Sequence, residues 1–142
     1  MDTAHDGPPW HTDAAGYLVL DRMQCLDYLA AGGVGRVAVN VGALPAILPV
    51  HFALDGEQVV FSIAAGSTLD RATRDAVVAF ETDGQHHDGT GHWSVTATGM
   101  ARHVRDDVAT VPAAERLPNW AGIDRRRLVM ISTDYLSGRR SL

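Results

Sequence analysis

The stretch AILPVHFAL, Ala46 to Leu54, constrains the fold more than any other. In an extended chain Leu48, Val50, Phe52 and Leu54 share one face, and Ile47, Pro49, His51 and Ala53 share the other. The first set is uniformly bulky and apolar, so that face is core. Proline cannot donate to a ladder. Pro49, with Pro45 just ahead of it, excludes a fully paired central position, and the strand therefore has a free edge or a bulge. GALP turns the chain before this strand, and Asp55-Gly56 is a hairpin turn after it.

The neighbouring segments keep the same period of two. VGRVAVNV places Val37, Val39 and Val41 inward, with Arg36, Ala38 and Asn40 outward. VVFSIAA places Val59, Phe61 and Ile63 inward, with Ser62 and Ala64 outward. In HWSVTATGMARHV, Trp93, Val95, Ala97, Gly99 and Ala101 alternate with Ser94, Thr96, Thr98 and Met100. AVVAFETD and RLVMIST are the remaining apolar strands. Helical spacing appears from an Asp21 cap to about Ala31, ended by Gly32-Gly33, then from Ser67 to about Asp75, and near Asp106 to Leu117.

Strands joined by hairpins, without a regular βαβ rhythm, predict a mainly β fold. The expected form is a six-stranded antiparallel split barrel with two or three flanking helices. Side chains fill the interior of a barrel this small. A ligand then binds outside it, on the face where Arg36, His51 and Ser62 project, and a second copy of the chain supplies the opposing wall.

Composition narrows the function. The 142 residues form one domain, read as a flexible arm over residues 1–20 and a folded domain over 21–142. A net charge of −5 argues against nucleic acid as a partner. No apolar run approaches the roughly 20 residues of a membrane span, and the first residues lack the pattern of a secretory leader. One cysteine, Cys25, forms no internal disulfide and suits the reducing cytoplasm; its place in a helical pattern makes it a buried structural thiol.

AAGSTLDRATRDA, Ala64 to Ala76, has two readings. Backbone N–H groups at a turn entering a helix can hold a phosphate. Alternatively Ser67 caps the helix and Asp70 reaches back to complete a capping box, which needs no ligand.

In order, GRVAV, LPAILPVHFALDGEQVVFSIAAGSTL, VVAFETD and WSVTATGMA, closed by RLVMISTDYLSGRR, resemble the flavin-binding split-barrel proteins of the pyridoxamine-phosphate-oxidase-like superfamily. The small actinobacterial and nitroimidazole-resistance-type members resemble the chain in particular, over about Asp21 to Arg140. The resemblance implies a homodimer with two flavin sites between subunits and FMN as the cofactor. It assigns phosphate contacts to the turn Gly66-Ser67-Thr68 and to Arg36, and the ring's surroundings to Leu48, Pro49, Val50 and His51 with Ser62, Ile63 and Ala64. Thr68 departs from the lysine or arginine of many relatives. Losing such a charge-assisted contact costs about 1.5–3 kcal/mol unless Arg36, Arg71 or Arg74 replaces it. Asp70 competes with a phosphate for the same positive end of the helix.

His51 is read either as a proton donor beside the flavin, as in nitroimidazole-resistance-type relatives with a matching P-V-H, or as a surface or interface histidine. His86, His87, Asp88 and His92 form a polar loop with none of the tight pairing of a metal site. Trp93 and Trp120 are assigned to packing, and Arg139 and Arg140 to a tail, or to a reach toward the partner's flavin. No nucleophile triad or P-loop appears, so the expected activity is that of an FMN-dependent oxidoreductase acting on a small molecule. No clear basic set remains for a second phosphate, so pyridoxamine-phosphate oxidation itself is not expected. The alternatives are a deazaflavin in place of FMN, or a flavin- or haem-binding carrier with a degenerate site.

Overall fold

The computed structural model describes residues 12–86, 88–105, 110–118 and 126–141. The elements in chain order are β1 (Leu18–Val19), α1 (Arg22–Ala30), β2 (Gly33–Val41), β3 (Leu44–Asp55), β4 (Gln58–Ala64), α2 (Thr68–Ala72), β5 (Ala76–Gln85) and β6 (His92–Val104). A 3-10 helix (Pro112–Arg116), β7 (Arg126–Ile131) and β8 (Tyr135–Arg140) follow. The sheet order is β1-β8-β6-β5-β2-β3-β4-β7, and β6 pairs with β7 as well. That last pairing closes β6, β5, β2, β3, β4 and β7 into the expected six-stranded antiparallel barrel.

Most inward positions follow the period-two reading; Val41, expected inward, is exposed at the end of β2. Val37, Val39, Val50, Phe52, Val59, Phe61, Phe80, Val95, Ala97 and Ala101 are buried together, and α1 adds Leu26 and Leu29. Asp21 starts α1 with a reciprocal capping box: its carboxylate accepts from Gln24 N–H at 2.8 Å, and Gln24 Oε1 accepts from Asp21 N–H at 2.9 Å.

Five features differ from the expectation. Val60 and Ala53, on the nominally outer face, are buried in a second cluster with Leu128 and Met130, under Val111, Ala113, Ala114 and Leu117. The segment carrying the 3-10 helix thus covers the outside of β4 and β7, which is why VVF and RLVM read as continuous apolar runs. Of the helix expected near Asp106 to Leu117, this 3-10 turn is the described part; residues 106–109 lie outside the described residues. α2 ends early, at Ala72, because the chain turns through Asp75 with φ of 48°. Arg139 and Arg140 are not tail: β8 lies along the first half of β6, with Thr98↔Tyr135 and Trp93↔Arg140 in register. The β8 pattern was faint because one of its inward positions is Gly138, where an added Cβ would meet Cys25 Sγ at 2.7 Å. Of the residues expected to form an arm, Leu18–Val19 pair with β8 and Leu20 is buried in the core.

Candidate functional site

Where β3 and β4 separate, the barrel splits. They pair only over Phe52–Asp55 and Gln58–Phe61. Before Phe52, β3 has β2 on one side alone, with Arg36 opposite Pro49; after Phe61, β4 keeps only β7, with Ser62↔Leu128 and Ala64↔Arg126. The proline signal for an open edge is met here. The gap holds a cavity of about 510 Å³, a size typical of small-molecule sites.

The cavity gathers most of the residues expected to bind. Leu48 through His51 form one wall, Ser62 through Ala64 the other, and Ser67 and Thr68 one end. Sequence reading missed Val34, Leu69 and Arg126. Val34 was legible, since it is the residue paired with His51 across β2 and β3. Arg126 was not, because nothing in a basic triplet says which member faces a strand more than sixty positions earlier in the chain.

Arg36, Arg71 and Arg74 do not line the cavity. Arg36 pairs with Glu81 at 2.8 Å and Asp83 at 3.3 Å in a separate depression on the outer sheet face. Arg71 donates to the Gly66 carbonyl at 3.1 Å. Arg74 donates to the Asp70 carboxylate at 3.0 Å.

The turn is bonded as a helix cap. Ser67 Oγ accepts from Asp70 N–H at 3.2 Å, and Ser67 N–H donates to the Ala64 carbonyl at 3.1 Å. The Asp70 carboxylate accepts from Gly66 N–H at 2.6 Å, one residue earlier than a capping box would have it. Asp70 is only 2% exposed. The Gly66 N–H holds its carboxyl below the usual carboxylate range against the opposing effect of burial, helped by Arg74 and Arg127. Thr73 Oγ1 lies 2.5 Å from the Leu69 carbonyl and donates to it, so at its 3.0 Å contact with His103 Nε2 the imidazole is the donor.

The other candidates fall elsewhere. Trp93 stacks on Tyr28 with ring centroids 4.3 Å apart, a packing role. His92 faces Asp83 at 3.4 Å, and no metal-holding cluster of His, Cys, Asp or Glu occurs among the described residues. His87 and Trp120 lie outside the described residues. Arg139 pairs with Asp13 at 3.2 Å and covers the Tyr17 ring. Among the described residues no helix is long and apolar enough to cross a membrane.

Comparison with known proteins agrees with this architecture. The family model described as pyridoxamine 5'-phosphate oxidase matches residues 21–140. The chain belongs to the pyridoxamine 5'-phosphate oxidase family. An uncharacterised protein of Mycobacterium tuberculosis is 33% identical over 129 residues, which is 85% of this chain and 83% of the relative. The structure of an FAD binding protein from Mycobacterium smegmatis superposes with a TM-score of 0.73 at 31% identity, over 87% of this chain and 99% of that one. An FAD and haem binding protein from the same organism shares the fold, with a TM-score of 0.67 at 17% identity over 85% of this chain and 71% of that one. The split barrel is the fold that this chain shares with these proteins.

Proposed function

We propose that this chain is a flavin-dependent oxidoreductase acting on a small molecule, with FMN as cofactor and a cytoplasmic homodimer as the active unit. The observation that carries the reading is the split itself. It opens a largely apolar slot between two extended backbone segments, the form a flat ring requires, with Ala64 contributing a small side chain to one wall. A bound flavin would supply hydride or single-electron transfer at its ring, chemistry that none of the lining side chains performs alone.

The chain's own residues would do the rest. Leu48 and Val50 on one wall and Ile63 on the other exclude water from the slot, and Ser62, Ser67 and Thr68 offer hydroxyls. His51, on the outward face of β3, would hold or release a proton for the substrate.

The dimer rests on an unpartnered face. Across the outer sheet, Ile47, Ala38, Ala79, Thr98 and Tyr135 lie side by side in register over five strands. Ile47 is 71% exposed, Tyr135 75% and neighbouring Val77 62%, whereas the opposite outer face is covered by the 3-10 segment. A second copy seated on this row would also close the open side of the slot.

A second reading, FAD in place of FMN, is favoured by the flavin of the relative from Mycobacterium smegmatis. Visible absorption of the purified protein, before and after adding FMN, tests the proposal. Flavin bands that stay through gel filtration support it, and chromatography of the heat-released flavin separates FMN from FAD. A colourless protein that ignores both overturns it. In His51→Gln, bound flavin should remain while turnover falls roughly 10²-fold or more; unchanged turnover would remove His51 from the chemistry.

A further inference from the structure

Arg126 and Arg127 are neighbours on β7 and therefore project to opposite sides of the sheet. Arg127 stands opposite Ile63, whose side chain is buried in the barrel, and its Nε lies 3.8 Å from Asp70 Oδ2. Arg126 stands opposite Ala64 and lines the cavity, where it also donates to the Pro118 carbonyl at 3.4 Å. Arg74 is drawn to the same buried Asp70 as Arg127, Arg36 to Glu81 and Asp83, and Arg71 to the Gly66 carbonyl. Among the described residues, Arg126 is the one arginine on the cavity wall.

We infer that Arg126 anchors the anionic group of the ligand that fills this cavity, and that Asp70 sorts the basic residues by keeping Arg127 and Arg74 on the far side. The remaining walls are apolar or carry hydroxyls, apart from the His51 imidazole on β3. The ligand class is therefore a flat apolar ring bearing one short anionic arm that ends near Ala64. A single guanidinium matches a single phosphate through a forked pair of hydrogen bonds. This explains how the site tolerates Thr68 in place of a basic residue: the cation comes from β7 instead of the turn. The inference rests on the flavin reading above for the identity of the ring, and on the cavity alone for the anion.

The test compares FMN with riboflavin, which lacks the phosphate, by quenching of flavin fluorescence. Wild-type protein should bind FMN at least tenfold more tightly than riboflavin. Arg126→Gln should bring that ratio close to one, Arg126→Lys should keep part of it, and Arg127→Gln should leave it unchanged. An unchanged ratio in Arg126→Gln, or an equal loss in Arg127→Gln, overturns the inference, provided melting temperatures show that both variants are folded. Should neither flavin bind any of these proteins, the functional proposal fails, and 1-anilinonaphthalene-8-sulfonate judges the anchor on its own. Emission lost in Arg126→Gln and kept in Arg127→Gln supports it; equal emission from both overturns it.

Discussion

Asp70 shows how one residue's chemistry depends on partners that local sequence does not reveal. Read in place, it is the acid in the first turn of a short helix. In the fold it is a buried carboxylate that ties the Gly66 turn to Arg74 on its own helix and to Arg127 on β7. Because the folded state holds its carboxyl below the usual range, its contribution is complete above about pH 4 and disappears as pH falls through the lowered folded value. Asp70→Asn should therefore melt at a lower temperature than wild type at pH 7, and the gap should narrow below about pH 4, as melting curves from pH 3 to 7 would reveal. A gap that stays constant across that range would refute the ionic role. Cys25 makes the opposite case: burial beside Leu20 and Gly138 pushes its thiol up to about 11, and its inertness was legible in the sequence. Native protein at pH 8 should resist a thiol reagent and react once unfolded in denaturant; rapid native labelling would contradict this.

At the scale of the strand, close approach decides what is allowed. Gly35 lies on the inward face of β2, directly under Phe80, whose ring meets Phe52 edge-on at 4.8 Å. A Cβ built on Gly35 would sit 2.4 Å from the Phe80 ring and 2.9 Å from the Glu81 carbonyl. Phe80 is fully buried and has no room to retreat. Gly35→Ala should destabilise the protein by about 1–3 kcal/mol with an unchanged denaturant slope, measured by urea unfolding. Alternation made β2 to β7 legible because buried apolar residues recur at every second position over most of each strand. It failed for β8, whose inward face is reduced to Leu136 and Gly138 among these faint positions, and for Val60, whose outer cover is a segment met some fifty residues later in the chain. Pro45 and Pro49 pointed to a free edge or a bulge on β3, and the pairing places that edge where β3 parts from β4. Which arginine faces the split was not legible, since that depends on the register of β7 against β4.

For the molecule as a whole, the exposed row across the outer sheet is the feature that a lone subunit leaves unexplained. Ile47→Glu places a charge at one end of the row, opposite Ala38. If this row is the contact between copies, the variant should sediment as a monomer while keeping its melting behaviour within a few degrees, and it should bind flavin more weakly because the slot loses its second wall. A variant that still sediments as a dimer would move the contact elsewhere.

The seam between β4 and β7 has a temporal consequence. The chain lays down both walls of the slot early, at β3 and β4, yet the strand that seals β4 and carries Arg126 is made only after β5 and β6. At about 5–20 residues per second, a growing chain spends several seconds with the edge of β4 unpaired. During that interval the slot has no end wall and the edge is open to other strands. Completion of the cavity is thus a late event in the life of each molecule, and a chain cut short before β7 would lack Arg126 from the cavity wall and leave the edge of β4 open to aggregation.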